Sequence, residues 1–442
     1  MSSSPLKYEE AYVWVWLPGA TEPVVAGRLS VQGEVVVFNY GKSYLDRSEA
    51  IPLYLPELPL EPGELPLPDG LTMPSSLRDA APDAWGRRVI LNRKFGIKGD
   101  NLDSLELSEL TYLLESGSDR IGALDFQLSP TTYVPRTLNN ATLEELLESA
   151  ERVEKGMPLT PELDQALHHG SSIGGARPKA LIQDDAVKLV AKFSSSSDIY
   201  NVVKAEFVAM RLASLCGINA APVSLVSASG KDVLLVERFD RRKVKTGWQR
   251  KMMVSALTML ELDEMMARYA SYVDFAHVIR HRFTNARETL HEMFSRIVFN
   301  ILCGNTDDHA RNHAAFWDGE MLTLTPAYDI CPQARSGQEA SQAMLITEES
   351  QLSRIATCLD AAHHFLFSEE DAIEIVEAQL RCIGENWSHV CDEAALSPTE
   401  RNFFWGRQFL NPYAFTDLAG RATSLAALAD KVRRSADKKG NE

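Results

Sequence analysis

The spacing of apolar residues in this 442-residue chain changes once, near residue 250, and this change sets what the chain can fold into. Before it, apolar and polar residues alternate in short runs such as 12–17, which is typical of strands. After Val254 the spacing is helical almost throughout, and the buried face of one long helix ends at Gly304. We therefore predict an α+β protein with a β-rich first part and a mostly helical second part.

Within the β-rich part, the pattern predicts a small antiparallel sheet in the first 45 residues, followed by an extended connector over the surface. The connector is predicted because seven prolines lie between Ile51 and Pro74, where they block helices and cannot donate ladder hydrogen bonds. A β-β-α-β-β order then runs from about residue 179 to residue 239. The predicted domains are 1–130, 131–240 and 241–442.

Charge and composition exclude several classes of protein. The net charge of -16 disfavours a broad grip on nucleic acid, since that grip requires Lys and Arg to neutralise phosphates. The basic runs at 241–251 and 431–439 are interpreted as a solvated loop and a frayed terminus. There is no apolar run of membrane-spanning length and no secretory signal pattern, and the six cysteines form no CxxC pair. We expect a cytoplasmic protein with reduced thiols and no membrane contact.

The segment 304–313, Gly-Asn-Thr-Asp-Asp-His-Ala-Arg-Asn-His, predicts a site for phosphoryl transfer. Asp307 and Asn312 repeat the Asp-x4-Asn spacing of protein-kinase catalytic loops, in which the aspartate accepts the hydroxyl proton and the asparagine binds Mg²⁺. After an apolar strand comes Asp329, at the position of the second metal ligand, although its neighbours are Tyr328 and Ile330. Each of these residues taken alone is also consistent with an ordinary turn.

The segment 172–240 supplies candidates for binding a nucleotide. Lys192 on a strand is predicted to contact the phosphates, with Lys188 as the competing choice, and Glu206 on the next helix could pair with that lysine. The predicted adenine hinge is 236–240, with Glu237, Arg238 and Phe239. A Gly-rich loop is predicted to cover the phosphates, because glycines allow close approach of the backbone. Its candidate residues are Ser172, Gly174, Gly175, Ala176, Arg177 and Lys179.

A metal-dependent hydrolase is the rival interpretation of the same segment. Asp307, Asp308, His309 and His313 place carboxylates and an i,i+4 imidazole pair within seven residues. The HExxH signature is absent, and such an enzyme needs neither the Gly-rich loop nor the strand lysine. The order of all the elements along the chain therefore favours the kinase, with the histidines holding the catalytic loop.

At this point the chain resembles the HipA-type serine/threonine kinases, which are toxins of bacterial type II toxin-antitoxin systems. The resemblance is carried by residues 82–88, 120–123, 171–180, 236–242, 304–313 and 324–329. It implies a protein-kinase-like two-lobed fold, with a mixed sheet and one helix in the N-lobe and a mostly helical C-lobe, preceded by a small β-rich N-terminal subdomain.

The same resemblance implies ATP and Mg²⁺ as cofactors, with Asp307 as base, Asn312 and Asp329 as metal ligands, and Lys192 on the phosphates. It implies switching off by autophosphorylation of Ser172 or the adjacent Ser171, because a phosphoserine beside ATP phosphates would repel them. The partners implied are a helix-turn-helix antitoxin of HipB type, DNA only through that antitoxin, and a protein substrate such as an aminoacyl-tRNA synthetase. A pseudokinase that acts as a binding module and a small-molecule phosphotransferase stay open as alternatives.

Overall fold

The computed structural model divides the chain into two compact units. It describes residues 8–68, 70–95, 107–136, 141–167, 175–183, 186–335, 337 and 339–439. Unit 1 contains Met1–Ser197, Val226–Val254 and Phe316–Met321; unit 2 contains Asp198–Leu225, Ser255–Ala315 and Leu322–Glu442. Both sides of the predicted boundary at residue 130 belong to unit 1, so the predicted division into domains 1–130 and 131–240 stays a prediction.

The first sheet of unit 1 is a five-stranded antiparallel sheet in the order β4-β3-β2-β1-β5. Its strands are β1 Glu10–Val15, β2 Val24–Gln32, β3 Val35–Tyr40, β4 Glu64–Leu65 and β5 Leu124–Gln127. Alternate residues of β1, namely Ala11, Val13 and Val15, are completely buried, because successive side chains of a strand point to opposite faces. The antiparallel sheet predicted for the first 45 residues is thus present.

The proline-rich segment differs from the prediction. It supplies the short strand β4, which pairs with β3, and it does not simply run over the surface: Leu53, Tyr54 and Leu58 are buried. The hydroxyl of Tyr40 donates to the backbone oxygen of Leu58 across 2.7 Å, and the Leu53 amide donates to that hydroxyl across 2.8 Å. Prolines excluded a helix here as expected, but the leucines and tyrosine between them fill the core.

Six helices complete the first part of unit 1. They are α1 Lys42–Leu45, α2 Ser75–Arg78, α3 Ala84–Phe95, α4 Glu109–Glu115, α5 Leu143–Glu154 and α6 Pro161–Leu167. Helix α5 begins with a capping box, in which Thr142 and Glu145 each accept a hydrogen bond from the other's backbone amide. Trp85 of α3 and Leu146 of α5 belong to one core cluster with Phe193 of the second sheet. This cluster fixes that sheet against the helices.

The second sheet has the order β6-β7-β9-β8. Its strands are β6 Lys179–Gln183, β7 Lys188–Phe193, β8 Val223–Ala228, of which 226–228 belong to unit 1, and β9 Lys231–Glu237. The basic run that follows was expected to be a solvated loop, and this expectation is wrong. It forms a hairpin of β10 Arg241–Val244 and β11 Gly247–Arg250. Three short strands, β12 Met252–Ser255, β13 Ala314–Trp317 and β14 Leu322–Leu324, interrupt the region expected to be helical.

Unit 2 is mainly helical, as predicted. Its helices are α7 Val202–Leu215, α8 Ala256–Met259, α9 Tyr272–Arg282, α10 Ala286–Cys303, α11 Ile355–Ala361, α12 Glu369–Glu393, α13 Pro398–Phe404 and α14 Thr423–Lys439. The predicted buried face of α10 is present, since Leu290, Phe294 and Ile301 are almost fully buried. Together with the sheets of unit 1, these helices confirm the predicted α+β class. Among the described helices, none is long and apolar enough to cross a lipid bilayer.

Candidate functional site

The candidate catalytic loop begins where α10 ends at Gly304. This residue has φ +74° and ψ +25°, the left-handed conformation that glycine adopts without strain. A Cβ added at Gly304 would lie 2.6 Å from the backbone oxygen of Gln408, so only glycine fits this turn. The Gly304 oxygen also accepts a hydrogen bond from the Gln333 amide across 2.9 Å. The loop therefore leaves the helix in a fixed direction.

The structure brings Asp307 and Asn312 together. Asp307 lies exposed at the turn, whereas Asn312 is 6% exposed and ends a short 3-10 helix, Ala310–Asn312. The amide nitrogen of Asn312 donates to the backbone oxygen of Asp307 across 3.2 Å. The amide oxygen of Asn312 makes no hydrogen bond within the described part of the chain. An unused amide oxygen in a nearly buried side chain suits a hard cation such as Mg²⁺, which fits the predicted metal role.

Directly beneath the loop lies a buried cluster that sequence reasoning did not find. The Asp308 carboxylate accepts hydrogen bonds from the side-chain amide of Asn300 across 2.6 Å and from Nε2 of His313 across 3.0 Å. It also accepts one from the Tyr272 hydroxyl. Burial alone would raise the pKa of Asp308, but His313 and these hydrogen bonds outweigh burial and hold it below its ordinary value. Burial, and secondly Asp308, raise the pKa of Tyr272 well above its ordinary value. Asp308 therefore shapes the loop from below and stays charged.

The two histidines of the loop have different surroundings. His313 supports the loop through its ring, as expected for a scaffolding histidine, and its backbone oxygen also accepts from the Ala256 amide across 2.8 Å. His309 was expected to hold the loop by hydrogen bonds, and it does so through its backbone oxygen, which accepts from the Asn312 amide across 2.8 Å. Its buried Nδ1 has no hydrogen-bond partner in the described ranges.

The metal-dependent hydrolase interpretation loses its basis in this geometry. Asp308 and His313, two of its four proposed ligands, are bound to each other in the core. Across the residues that the structure describes, no group of three or more His, Cys, Asp or Glu side chains is arranged to hold a metal ion. A magnesium site made of Asn312, Asp329 and phosphate oxygens would contain only one side chain of these four types. The absence of such a group therefore does not bear on the predicted magnesium site.

Asp329 is held in a strained backbone conformation beside the loop. Its φ is +59°, which is uncommon outside glycine and marks sites where the surroundings enforce the conformation. The segment before it is fixed to residues 219–221, because the Ala327 amide donates to the Asn219 oxygen across 2.7 Å and the Ala221 amide donates to the Ala327 oxygen across 2.9 Å. The Tyr328 hydroxyl then donates to the backbone oxygen of Arg311 across 2.7 Å. The Tyr-Asp motif is thus joined to the loop that carries Asp307 and Asn312.

In unit 1, two lysines stand opposite each other on neighbouring strands. Lys179 of β6 pairs in register with Lys192 of β7, so both side chains leave the same face of the sheet. Lys179 is only 6% exposed. An anion that contacts both ammonium groups from this face would form charge-assisted hydrogen bonds with them. This arrangement suits the phosphates of a nucleotide.

The competing lysine, Lys188, is occupied elsewhere. Its Nζ lies 2.5 Å from Oδ2 of Asp119 and 5.3 Å from the ring centroid of Trp248. Burial lowers the pKa of Lys188 even though Asp119 opposes the shift. Lys188 is therefore committed to this ion pair, and the assignment of Lys192 to the phosphates stays a prediction.

The structure describes the Gly-rich loop only from Gly175 onwards. Ser171, Ser172 and Gly174 lie outside the described residues. Gly175 has φ +98°, a conformation that favours glycine, and a Cβ added there would lie 2.1 Å from Nζ of Lys179. Ala176 is exposed and Arg177 half-buried.

The predicted hinge follows β9, and its central arginine is committed to the protein. The amide of Arg238 donates to the Lys188 oxygen across 2.8 Å, and its buried guanidinium binds Asp240 at 2.8 Å and Asp119 at 3.1 Å. A nucleotide contact by Arg238 would have to use its backbone oxygen. Phe239 packs edge-on against Phe316 with ring centroids 6.0 Å apart. The contacts predicted for Glu237, Arg238 and Phe239 with adenine stay predictions.

Asp119 is the centre of an ion-pair cluster that the sequence did not predict. It accepts from Lys188, Arg238 and Arg241, whose guanidinium lies 2.9 Å away, and Arg241 also binds Asp240 at 2.8 Å. Burial would raise the pKa of Asp119, but these three cations hold it well below its ordinary value. The cluster joins the segment before β5 to the hinge and to the basic hairpin.

Glu206 lies on α7 and is 3% exposed. It belongs to unit 2, whereas Lys192 belongs to unit 1. Their ion pair stays a prediction.

Comparison with known proteins gives two matching family profiles. The profile of the HipA N-terminal domain matches residues 15–127, and that of the HipA-like C-terminal domain matches residues 171–387. Together they cover most of the chain, including the loop residues Asp307 and Asn312.

Relatives of the chain are named as kinases. The protein Y4mE of Sinorhizobium fredii, which is named as a kinase, is 23% identical over 318 residues, covering 66% of this chain and 71% of Y4mE. The serine/threonine-protein kinase toxin HipA of Shewanella oneidensis is 28% identical over 148 residues, covering 30% of this chain and 34% of that toxin.

A solved structure extends the likeness to the whole fold. It is a chain from the complex of HipA, HipB and operator DNA of the Shewanella oneidensis MR-1 toxin-antitoxin system. It superposes with a TM-score of 0.63 at 19% identity, over 96% of this chain and 97% of that one. The fold expected from the sequence motifs is therefore confirmed.

Proposed function

We propose that this chain, which belongs to the HipA family, is a kinase that transfers the γ-phosphoryl group of ATP to a serine or threonine of another protein. The observation that carries the proposal is the pairing of an exposed aspartate with an asparagine whose amide oxygen is unused. Asn312 binds the Asp307 backbone through its nitrogen and so keeps its oxygen for a cation. Phosphoryl transfer needs such placement more than it needs covalent chemistry.

Asp307 acts as the base in this proposal. Its carboxylate is exposed, so an acceptor hydroxyl can reach it, and the loop beneath it is fixed by the charged Asp308 cluster. Asn312 and Asp329 would hold Mg²⁺. When bound there, Mg²⁺ would neutralise negative charge on the phosphates of ATP. Tyr328 keeps these two ligands on one connected support through the Arg311 oxygen.

The phosphates would be bound by Lys192, with Lys179 beside it. Both lysines leave the same face of the second sheet. Glu206, Glu237 and Phe239 complete the proposed set, as ion-pair partner and hinge residues.

We extend the proposal to control and partners by analogy with the HipA proteins. Autophosphorylation of Ser172 or Ser171 would add about -1.5 to -2 charges to the Gly-rich loop and repel the ATP phosphates. The expected partner is a helix-turn-helix antitoxin of HipB type, with DNA contacted through it. The expected substrate is a cytoplasmic protein such as an aminoacyl-tRNA synthetase.

The test is phosphoryl transfer from γ-labelled ATP and Mg²⁺ to proteins of a bacterial extract and to the chain itself. Wild type should label protein, and Asp307→Ala should abolish the label. Asp360→Ala is the matched control, because Asp360 is an exposed aspartate of α11 in the same unit. Absence of labelled protein from the wild-type reaction would refute the protein kinase and favour a binding module. Label found only on a small molecule would favour the small-molecule phosphotransferase.

A further inference from the structure

The described end of the Gly-rich loop is tied to a helix far away in the sequence. The Gly175 amide donates to Oδ2 of Asp83 across 2.7 Å, and the Gly175 oxygen accepts from the Trp85 amide across 3.1 Å. Both polar groups of Gly175 are therefore bound by residues at the start of α3. A third bond continues the contact along the strand, since Nε1 of Trp85 donates to the Lys179 oxygen across 3.0 Å.

The support that holds Gly175 is itself rigid. Asp83 immediately precedes α3, and its backbone oxygen accepts the first helical bond, from the Arg87 amide, across 2.8 Å. Trp85 is 1% exposed and packs in the core cluster with Leu146. A carboxylate held by a helix start and a tryptophan held by the core fix the position of Gly175 more firmly than a solvent-exposed turn would.

The position of Gly175 matters because the side chain of Lys179 packs against it. There is no room for a Cβ between Gly175 and Nζ of Lys179. The ammonium of Lys179 therefore rests on the glycine backbone, on the sheet face that also carries Lys192. If Gly175 moved, the Lys179 ammonium would lose its contact with the Gly175 backbone on the face that carries Lys192.

We propose that Asp83 is a positioning residue for nucleotide binding, which fixes Gly175 and thereby holds Lys179 in place for the phosphates. The proposal rests on the proposed kinase function, and it gives the N-terminal segment a part in that function. Asp83 does not touch the nucleotide. Its removal should therefore weaken ATP binding and leave the transfer step almost unchanged.

The test compares four proteins: wild type, Asp83→Ala, Asp83→Asn and Asp164→Ala. The asparagine keeps an oxygen that can accept from Gly175, whereas alanine does not. Asp164 is the matched control, because its carboxylate binds Arg93 of the same helix α3 at 3.0 Å, whereas the Gly175 amide is bound by Asp83. Thermal unfolding of each protein verifies that it is folded.

The first measurement is amide hydrogen exchange in the peptide that covers residues 175–182, without nucleotide. Asp83→Ala should speed exchange in this peptide about tenfold or more, because a lost hydrogen bond to a charged acceptor corresponds to about this factor. Asp83→Asn should lie between alanine and wild type, and Asp164→Ala should match wild type. Unchanged exchange in Asp83→Ala would overturn the proposed attachment of the loop.

The second measurement is the KM for ATP and the kcat. Asp83→Ala should raise the KM about tenfold with kcat within about twofold of wild type, and asparagine should restore most of the affinity. Faster exchange with an unchanged KM would overturn the link to nucleotide binding. A wild type without ATP turnover would refute the kinase itself, while the exchange result would still decide whether Asp83 holds the loop.

Discussion

Tyr328 donates its hydroxyl to the backbone oxygen of Arg311 across 2.7 Å, and this one bond joins the motif that carries Asp329 to the loop that carries Asp307 and Asn312. The bond spans 17 residues of sequence. It holds the proposed base, Asp307, and the proposed metal ligands, Asn312 and Asp329, on one support, although none of these three side chains takes part in the bond.

Replacing Tyr328 by phenylalanine tests this role. The Arg311 oxygen would lose its partner, at a cost of about 1 kcal/mol, and kcat should fall roughly five- to tenfold. Steady-state phosphorylation kinetics give the change. Tyr44→Phe in unit 1, which removes a 2.8 Å bond to the Ile51 oxygen, should lower the melting temperature and leave kcat as in wild type. An equal loss of kcat in both variants would contradict a specific role of Tyr328.

The two lysines of β7 should respond in opposite ways to replacement by methionine. Lys192→Met should lower the rate of phosphoryl transfer about 100-fold or more, because its proposed role is on the phosphates. Lys188→Met should instead leave the Asp119 carboxylate with one cation fewer and destabilise unit 1 by about 1–3 kcal/mol. Urea unfolding and kinase assays on both variants separate the two effects. Loss of activity in a stable Lys188→Met protein would favour the competing assignment.

Gly304→Ala should destabilise unit 2. The φ of +74° costs about 1 kcal/mol for an alanine, and the added Cβ would lie 2.6 Å from the Gln408 oxygen, so a total loss of at least about 2 kcal/mol is expected. Differential scanning calorimetry checks the prediction. Gly217→Ala in the same unit provides the control, since its φ of +86° is also left-handed but nothing lies within 4 Å of the added Cβ. A smaller loss at Gly304 than at Gly217 would be inconsistent with the proposed close approach.

Stability should fall in acid because of Asp119. Its folded pKa lies well below the ordinary value of 3.8, so near that pH the unfolded chain binds more protons than the folded protein. The stabilisation is complete above about pH 5 and is lost as the pH falls through the folded pKa. Asp119→Asn should be less stable at pH 7 and should show a flatter dependence below pH 4, measured by urea unfolding at a series of pH values. An identical acid dependence in both proteins would assign the effect to other carboxylates.

The elements that follow from local patterns were predictable, and those that depend on distant contacts were not. Alternation identified β1 and helical spacing identified the buried face of α10, because burial repeats along each element. The hairpin of β10 and β11 escaped prediction because its many cations look solvated. In the structure Arg241 is buried against Asp119, which lies 122 residues earlier.

The candidate site shows the same division. Asp307, Asn312 and Asp329 carry a spacing that can be read locally. Asp308 looked like a second metal-binding carboxylate, because its partner Tyr272 lies 36 residues away and gives no local signal. Asp83 lies 92 residues before Gly175, and only the fold reveals the contact between them.

The cluster around Asp119 has a consequence for how the chain can be divided. The two family profiles suggest cutting between residues 127 and 171 to obtain a free C-terminal fragment. That fragment would contain Arg238 and Arg241, whose guanidinium groups are buried in the intact chain. It would lack Asp119, whose carboxylate both of them bind. A fragment cut there should therefore be less stable than the same residues in the intact chain, because two buried guanidinium groups lose a carboxylate that they bind.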